Sequence, residues 1–93
     1  MTYEWDERKR TVNLEKHGFD LAEAWKVFEA PLKITFRTPH TESGEDRWLD
    51  IAEVTGSVLV LVYTMRGESV RNISFRHAKR KESRAFDAAL KNR

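Results

Sequence analysis

The chain reads as an α+β domain in which two helices precede four strands and a final helix, and three observations predict this. Helix caps frame two segments within the first 31 residues. Hydrophobic spacing then changes from helical to alternating, and after Ala78 it returns to helical. The order ααββββα suits helices packed against one face of a mainly antiparallel sheet.

Taking the elements in order, Asp6 is a candidate N-cap for a helix that reaches His17. Glu4–Arg8 and Asp6–Arg10 pairs at i,i+4 would support it, and Gly18 would stop it. Its apolar periodicity is poor. A second helix is expected after Asp20, which has capping-box spacing to Glu23. Leu21, Ala24, Trp25 and Phe28 would share its buried face, and Pro31 would end it.

Leu32, Ile34 and Phe36 then alternate with Lys33, Thr35 and Arg37, the pattern of a half-buried edge strand. The polar stretch Thr38 to Glu45, with Pro39 and Gly44, reads as a long loop. Strands are expected over 47–54, Val58 to Tyr63 and Glu68 to Arg76, joined by turns at Thr55-Gly56 and Arg66-Gly67. The middle one is apolar on both faces and belongs at the sheet centre. Strict alternation in the last strand puts Arg71, Ile73 and Phe75 on one face, and Val70, Asn72, Ser74 and Arg76 on the other. A final helix would pack through Ala85, Phe86, Ala89 and Leu90.

Ninety-three residues suit a single domain, 1–93, and 40% hydrophobic with 34% charged residues indicates one core beneath a highly charged surface. The absence of cysteine excludes disulfides, thiolate metal sites and a cysteine nucleophile, and suits a reducing compartment. The longest apolar run, Val58 to Tyr63, is far short of the roughly 20 residues of a membrane span, so a cytoplasmic protein is expected.

Net charge is +2, but it is unevenly spread. Residues 1–64 hold 8 Lys/Arg against 12 Asp/Glu, whereas 65–93 hold 9 against 3. Such a basic end attracts a polyanion, either nucleic acid or an acidic protein segment. Lys79, Arg80, Lys81 and Arg84 crowd the start of the last helix, where the macrodipole favours carboxylates. With Arg76 at the preceding strand end, that helix start is a candidate phosphate site. No histidine pair has metal-ligand spacing, and neither a Gly-rich phosphate loop nor a GxSxG elbow is present, so no metal or cofactor is expected.

The pattern resembles the BrnT family of type II toxins from Tyr3 to about Phe86. The matching pieces are Glu4-Trp5-Asp6, Lys9, Asn13, Lys16-His17-Gly18-Phe19, Ala24 and Phe28. In the sheet half they are Gly44-Glu45, Arg47, Tyr63-Thr64, Arg66, Arg71, Ile73-Ser74, Arg76, Ala78 and Glu82. The resemblance implies a RelE-like fold, metal-independent RNA cleavage, and neutralisation by a BrnA-type antitoxin whose ribbon-helix-helix part binds operator DNA. Phe75 and Phe86 depart from the pattern: a small residue is usual at the first position, and tyrosine is common at the second, where phenylalanine has no proton to donate.

Metal-free RNA cleavage needs a base for the 2′-hydroxyl, cations for the charge on phosphorus and an acid for the 5′-oxygen. Arg47, Arg66, Arg71 and Arg76 are the candidate phosphate-facing set, with Ser74, Lys79 and Arg80 as further RNA contacts. Lys16 or His17 is the candidate proton-transfer group, with Glu45 and Tyr63 as alternatives. The competing reading is a non-catalytic module that binds RNA or docks an antitoxin through charge alone.

Overall fold

The computed structural model describes residues 1–39 and 44–91. Its elements are β1 (Thr2–Glu4), α1 (Glu7–His17), a 3-10 turn (Leu21–Glu23), α2 (Trp25–Phe28), β2 (Lys33–Pro39), β3 (Asp46–Val54), β4 (Ser57–Arg66), β5 (Ser69–His77) and α3 (Arg80–Lys91). The strands form one mixed sheet in the order β1-β5-β4-β3-β2. The α+β class and the antiparallel run from β2 to β5 agree with the sequence reading. The first strand does not: three residues, Thr2 to Glu4, pair parallel with Ser69 to Arg71 and make a fifth strand. So short a segment carries no alternation to read, and its pairing depends on a partner more than 60 residues away.

Helix α1 begins and ends where expected. The Asp6 side chain accepts from the Arg8 and Lys9 amides, and Gly18 closes the helix at φ 77°, the left-handed region that glycine enters without penalty. The expected i,i+4 pairs are replaced by longer-range ones. Arg10 bonds Asp20 at 2.8 and 3.0 Å, while Glu4 faces Arg71. The missing apolar stripe is explained by how the helix docks. Asn13 is its one buried residue, and its amide bonds the Phe75 N–H, the Phe75 carbonyl and the Phe19 carbonyl. A polar side chain thus stands in for a neighbouring strand along the exposed edge of β5.

The second helix is a correction. It is a 3-10 turn followed by a single α turn, and it buries Leu21, Ala24 and Val27 while Trp25 is exposed. The three buried positions are spaced by three, which matches the 3.0-residue period of a 3-10 helix and not 3.6.

The helices also divide between the two sheet faces instead of sharing one. The 3-10 turn and α2 bury Leu21, Ala24 and Val27 against Ala52, Leu59, Leu61, Tyr63, Val70 and Phe75. On the opposite face α3 sets Phe86 against Ile51 and Val60. This two-sided cover accounts for the doubly apolar β4, whose Leu59 and Leu61 face one layer while Val60 faces the other. Of the loop expected over Thr38 to Glu45, residues 40–43 lie outside the described residues, His40 among them. The β3–β4 hairpin turns through Thr55 and Gly56, both at positive φ (48° and 86°), the geometry that matches strand twist in a two-residue turn.

Candidate active site

A bulge in β5 decides which cations share a surface. Ser74 pairs with Val62 but Asn72 pairs with Tyr63, which leaves Ile73 as the extra residue. Strict alternation would separate Arg71 from Ser74 and Arg76. The inserted residue inverts the phase instead, so Val70, Asn72 and Phe75 turn to the face beneath the 3-10 turn and Arg71, Ser74 and Arg76 turn to the other. Leu49 and Ile51 place Arg47 on that same second face, where it and Arg71 flank Thr64. Helix α3 lies over β2 and β3, so the β5 side of this face stands beside the helix and not beneath it.

Along the edge of β5 that β1 leaves unpaired, α1 forms the second wall. Arg8, Lys9, Lys16 and His17 of the helix line a groove of about 280 Å³ with Ile73 and Ser74 of the strand. Ser74 is the rim shared by the groove and the arginine-bearing face. The groove is cationic on its helix side, and its electrostatics act on His17. Partial burial, then the neighbouring charges of Lys16 and Arg76, push its imidazole below the usual histidine range. A larger share of the ring is therefore neutral at pH 7 and able to accept a proton.

The other residues singled out from the sequence are distributed less simply. Arg76 is held by Glu82 in a two-pronged bond at 2.7 and 3.0 Å, with side chains that are 14% and 18% exposed. The same Glu82 carboxylate accepts the Lys79 N–H at 2.7 Å. Expected to be a phosphate site, the start of α3 is instead occupied by the protein's own carboxylate. Arg76, followed by that amide, keeps the Glu82 carboxyl below its ordinary range. This also settles the misplaced charge: Glu82 supplies the acid that the helix dipole requires, while the Lys79 and Arg80 side chains are exposed beside it.

Arg66, on the exposed end of β4, pairs with Glu45 at 3.5 Å, so these two meet each other away from the groove. Arg71 approaches Glu4 at 3.7 Å. Tyr63 is on the opposite sheet face. It is buried, its hydroxyl donates to Asp50, and burial followed by that carboxylate raises its pKa well above the usual phenol value. The sheet separates it from the arginines. The structure thus brings Lys16, His17 and Ser74 into one groove with the Arg76–Glu82 pair close to His17, whereas Arg71, beside Glu4 and Asp6 at the other end of α1, and Arg47 lie farther along the sheet face. Arg66, paired with Glu45, follows Thr64 on the same face and so lies near Arg71 and Arg47 but outside the groove, and Tyr63 alone is on the other side of the sheet.

Sequence reasoning missed Arg8 and Lys9 as groove residues and Glu82 as the partner of Arg76. For the first two a signal existed, because positions 8, 9, 12, 13, 16 and 17 form one stripe at helical spacing.

Fold and surface together define a small α+β protein with a cationic groove beside one sheet edge. The chain belongs to the BrnT family: the profile described as "Ribonuclease toxin, BrnT, of type II toxin-antitoxin system" matches residues 5–82. It is a ribonuclease toxin of a type II toxin-antitoxin system, with an antitoxin as partner and RNA as target. No individually curated protein matches the chain. Among the described residues, no helix is long and apolar enough to cross a membrane.

Proposed function

We propose that the protein is a metal-independent, RelE-like endoribonuclease that cleaves cytoplasmic RNA in the groove between α1 and β5 and thereby stops translation and growth. The observation that carries this reading is a groove lined by His17, Lys16 and Ser74 with further cations at Arg8 and Lys9, and its charge and partial burial favour the neutral form of the imidazole. A neutral imidazole there takes the 2′-hydroxyl proton as the 2′-oxygen attacks phosphorus and the bond to the 5′-oxygen breaks. The Lys16 ammonium, adjacent in sequence, delivers a proton to that leaving oxygen.

Ser74 donates to a non-bridging oxygen at the rim, and Arg71 and Arg47, farther along the same sheet face, offer planar forks to neighbouring phosphates of the bound strand. Arg76 acts as a positioning residue. Fixed by Glu82, it places a permanent positive charge near His17 and so helps keep the imidazole neutral. Arg8 and Lys9 continue the cationic wall for the flanking phosphates. Lys79 and Arg80 extend the same basic surface at the start of α3. The partner in this reading is a BrnA-type antitoxin, and operator DNA is met only through its ribbon-helix-helix part.

Single-turnover cleavage of a short RNA, with and without chelator and at two salt concentrations, tests the proposal. His17→Gln and Lys16→Ala should each lower the rate by about 10² or more. The Lys91→Ala control, at the far end of α3, should change it little. Chelator should have no effect. Equal, modest and salt-screened losses for Lys16→Ala and Lys91→Ala would replace catalysis with simple charge-driven binding.

A further inference from the structure

On the face opposite the 3-10 turn, where α3 crosses the outermost strand, two adjoining hollows of about 190 and 220 Å³ share the side chains of Pro31, Leu32, Phe86 and Leu90. Ile34 and Ala89 extend the same lining. Together they form a largely apolar groove between the start of β2 and the second half of α3, with Glu53 and Lys33 adding one charge of each sign to its lining. Its rim is unusually greasy for so small a domain: Leu32 is 45% exposed, Leu90 37%, and Phe36, farther along β2, 47%. Contiguous exposed apolar surface of this kind marks a place that a partner covers.

Two further features narrow the partner. The sheet order leaves β2 with one free edge, so its outward N–H and C=O groups are unpaired by any described strand. Helix α3 presents Arg80, Lys81, Arg84 and Lys91 to solvent against Asp87 and a Glu82 that Arg76 already holds. None of those four cations takes part in an ion pair among the described residues.

We infer that the antitoxin docks here through an extended acidic segment, which adds a strand to the free edge of β2 and sends alternate apolar side chains into the groove beneath α3. The inference rests on the family reading that supplies an antitoxin. The geometry specifies its chemistry. Backbone pairing along β2 provides affinity without regard to sequence, and the groove accepts only side chains of period two on one face. Carboxylates on the segment meet the uncompensated cations of α3, which steer the encounter.

The test uses the full-length toxin and its purified cognate antitoxin. Hydrogen exchange should show the β2 amides of residues 33–38 protected on complex formation. Leu32→Glu and Leu90→Glu, both at exposed positions, should each weaken the complex by about tenfold or more, the effect of an interface residue that matters. Arg84→Glu should weaken it by a factor that shrinks as salt is raised. All three free variants should cleave RNA as the wild type does and escape growth rescue by the antitoxin. Unchanged antitoxin affinity in both leucine variants, or protection confined to the α1–β5 groove, would overturn the docking surface. So would a toxin dimer, seen by sedimentation, that Leu90→Glu dissociates while antitoxin affinity is retained. If the wild-type toxin cleaves no RNA, the proposed function falls, while exchange and affinity still decide this surface independently.

Discussion

Replacing Asn13 by alanine removes the side chain that hydrogen-bonds α1 to the exposed edge of β5. Three backbone groups lose their partners: the Phe75 N–H at 3.1 Å, and the carbonyls of Phe75 and Phe19 at 2.8 Å each. A buried polar group left unsatisfied costs about 1–3 kcal/mol. The N–H should bear that in full, whereas the carbonyls, next to the open groove, regain part of it from water. The expected loss is roughly 2–4 kcal/mol, a large share of the about 5–15 kcal/mol available to a domain of this kind. For fewer than 100 residues this lowers the melting temperature by roughly 10–25 °C.

Urea denaturation and calorimetry measure the loss, and exchange of the Phe75 amide locates it. Asn13→Asp is the sharper variant. It keeps an acceptor for the Phe75 N–H but aims a carboxylate at two carbonyls. At pH 7 it should be less stable than the alanine variant, and it should recover as pH falls, because the protonated carboxyl can donate again. A loss below about 0.5 kcal/mol for Asn13→Ala, within the ordinary range of surface changes, would refute the view that α1 is held by hydrogen bonds. An aspartate variant as stable as the wild type at pH 7 would refute it as well.

Other outcomes follow from the same geometry. The cleavage rate should hold steady as pH is lowered to the depressed range of His17 and then fall as the imidazole becomes charged. His17→Gln should remove that acid limb from the pH–rate profile. Glu82, whose carboxyl pKa is lowered by Arg76, contributes stability that is present above the ordinary carboxyl range and lost as pH falls through its folded value. Glu82→Gln should therefore cost about 1–3 kcal/mol at pH 7 and almost nothing in acid, as read by denaturation at both pH values. Tyr63→Phe should leave cleavage within about twofold and cost about 1 kcal/mol of stability, since it removes one buried hydrogen bond to Asp50. A hundredfold drop in its rate would return the tyrosine to the site. Val60→Asp, which buries an unpaired carboxylate at a fully buried position of β4, should leave the chain unfolded by circular dichroism.

How much of this was legible varied with the range of the interaction involved. The Asp6 cap, the Gly18 stop and the Thr55-Gly56 hairpin are decided within a few residues, and all were readable. The alternation of β2, the doubly apolar β4 and the basic final third were readable for the same reason. Lys16 and His17 could be placed at the end of a helix, and that helix end does line the groove.

The phase of β5 could not be read, because a bulge is defined by two residues opposing one on a neighbouring strand, and no single strand records it. On that bulge depends whether Arg71 and Arg76 share a face. The pairing of β1 with β5, the division of the helices between two faces and the capture of Arg76 by Glu82 are likewise contacts between segments that the sequence does not order in space. Local chemistry determined that this chain would carry an α+β fold, with a surplus of arginine and lysine in its last third. Tertiary structure decided where those charges meet and which of them a carboxylate already holds, because burial and ion pairing depend on distances that only the folded chain creates.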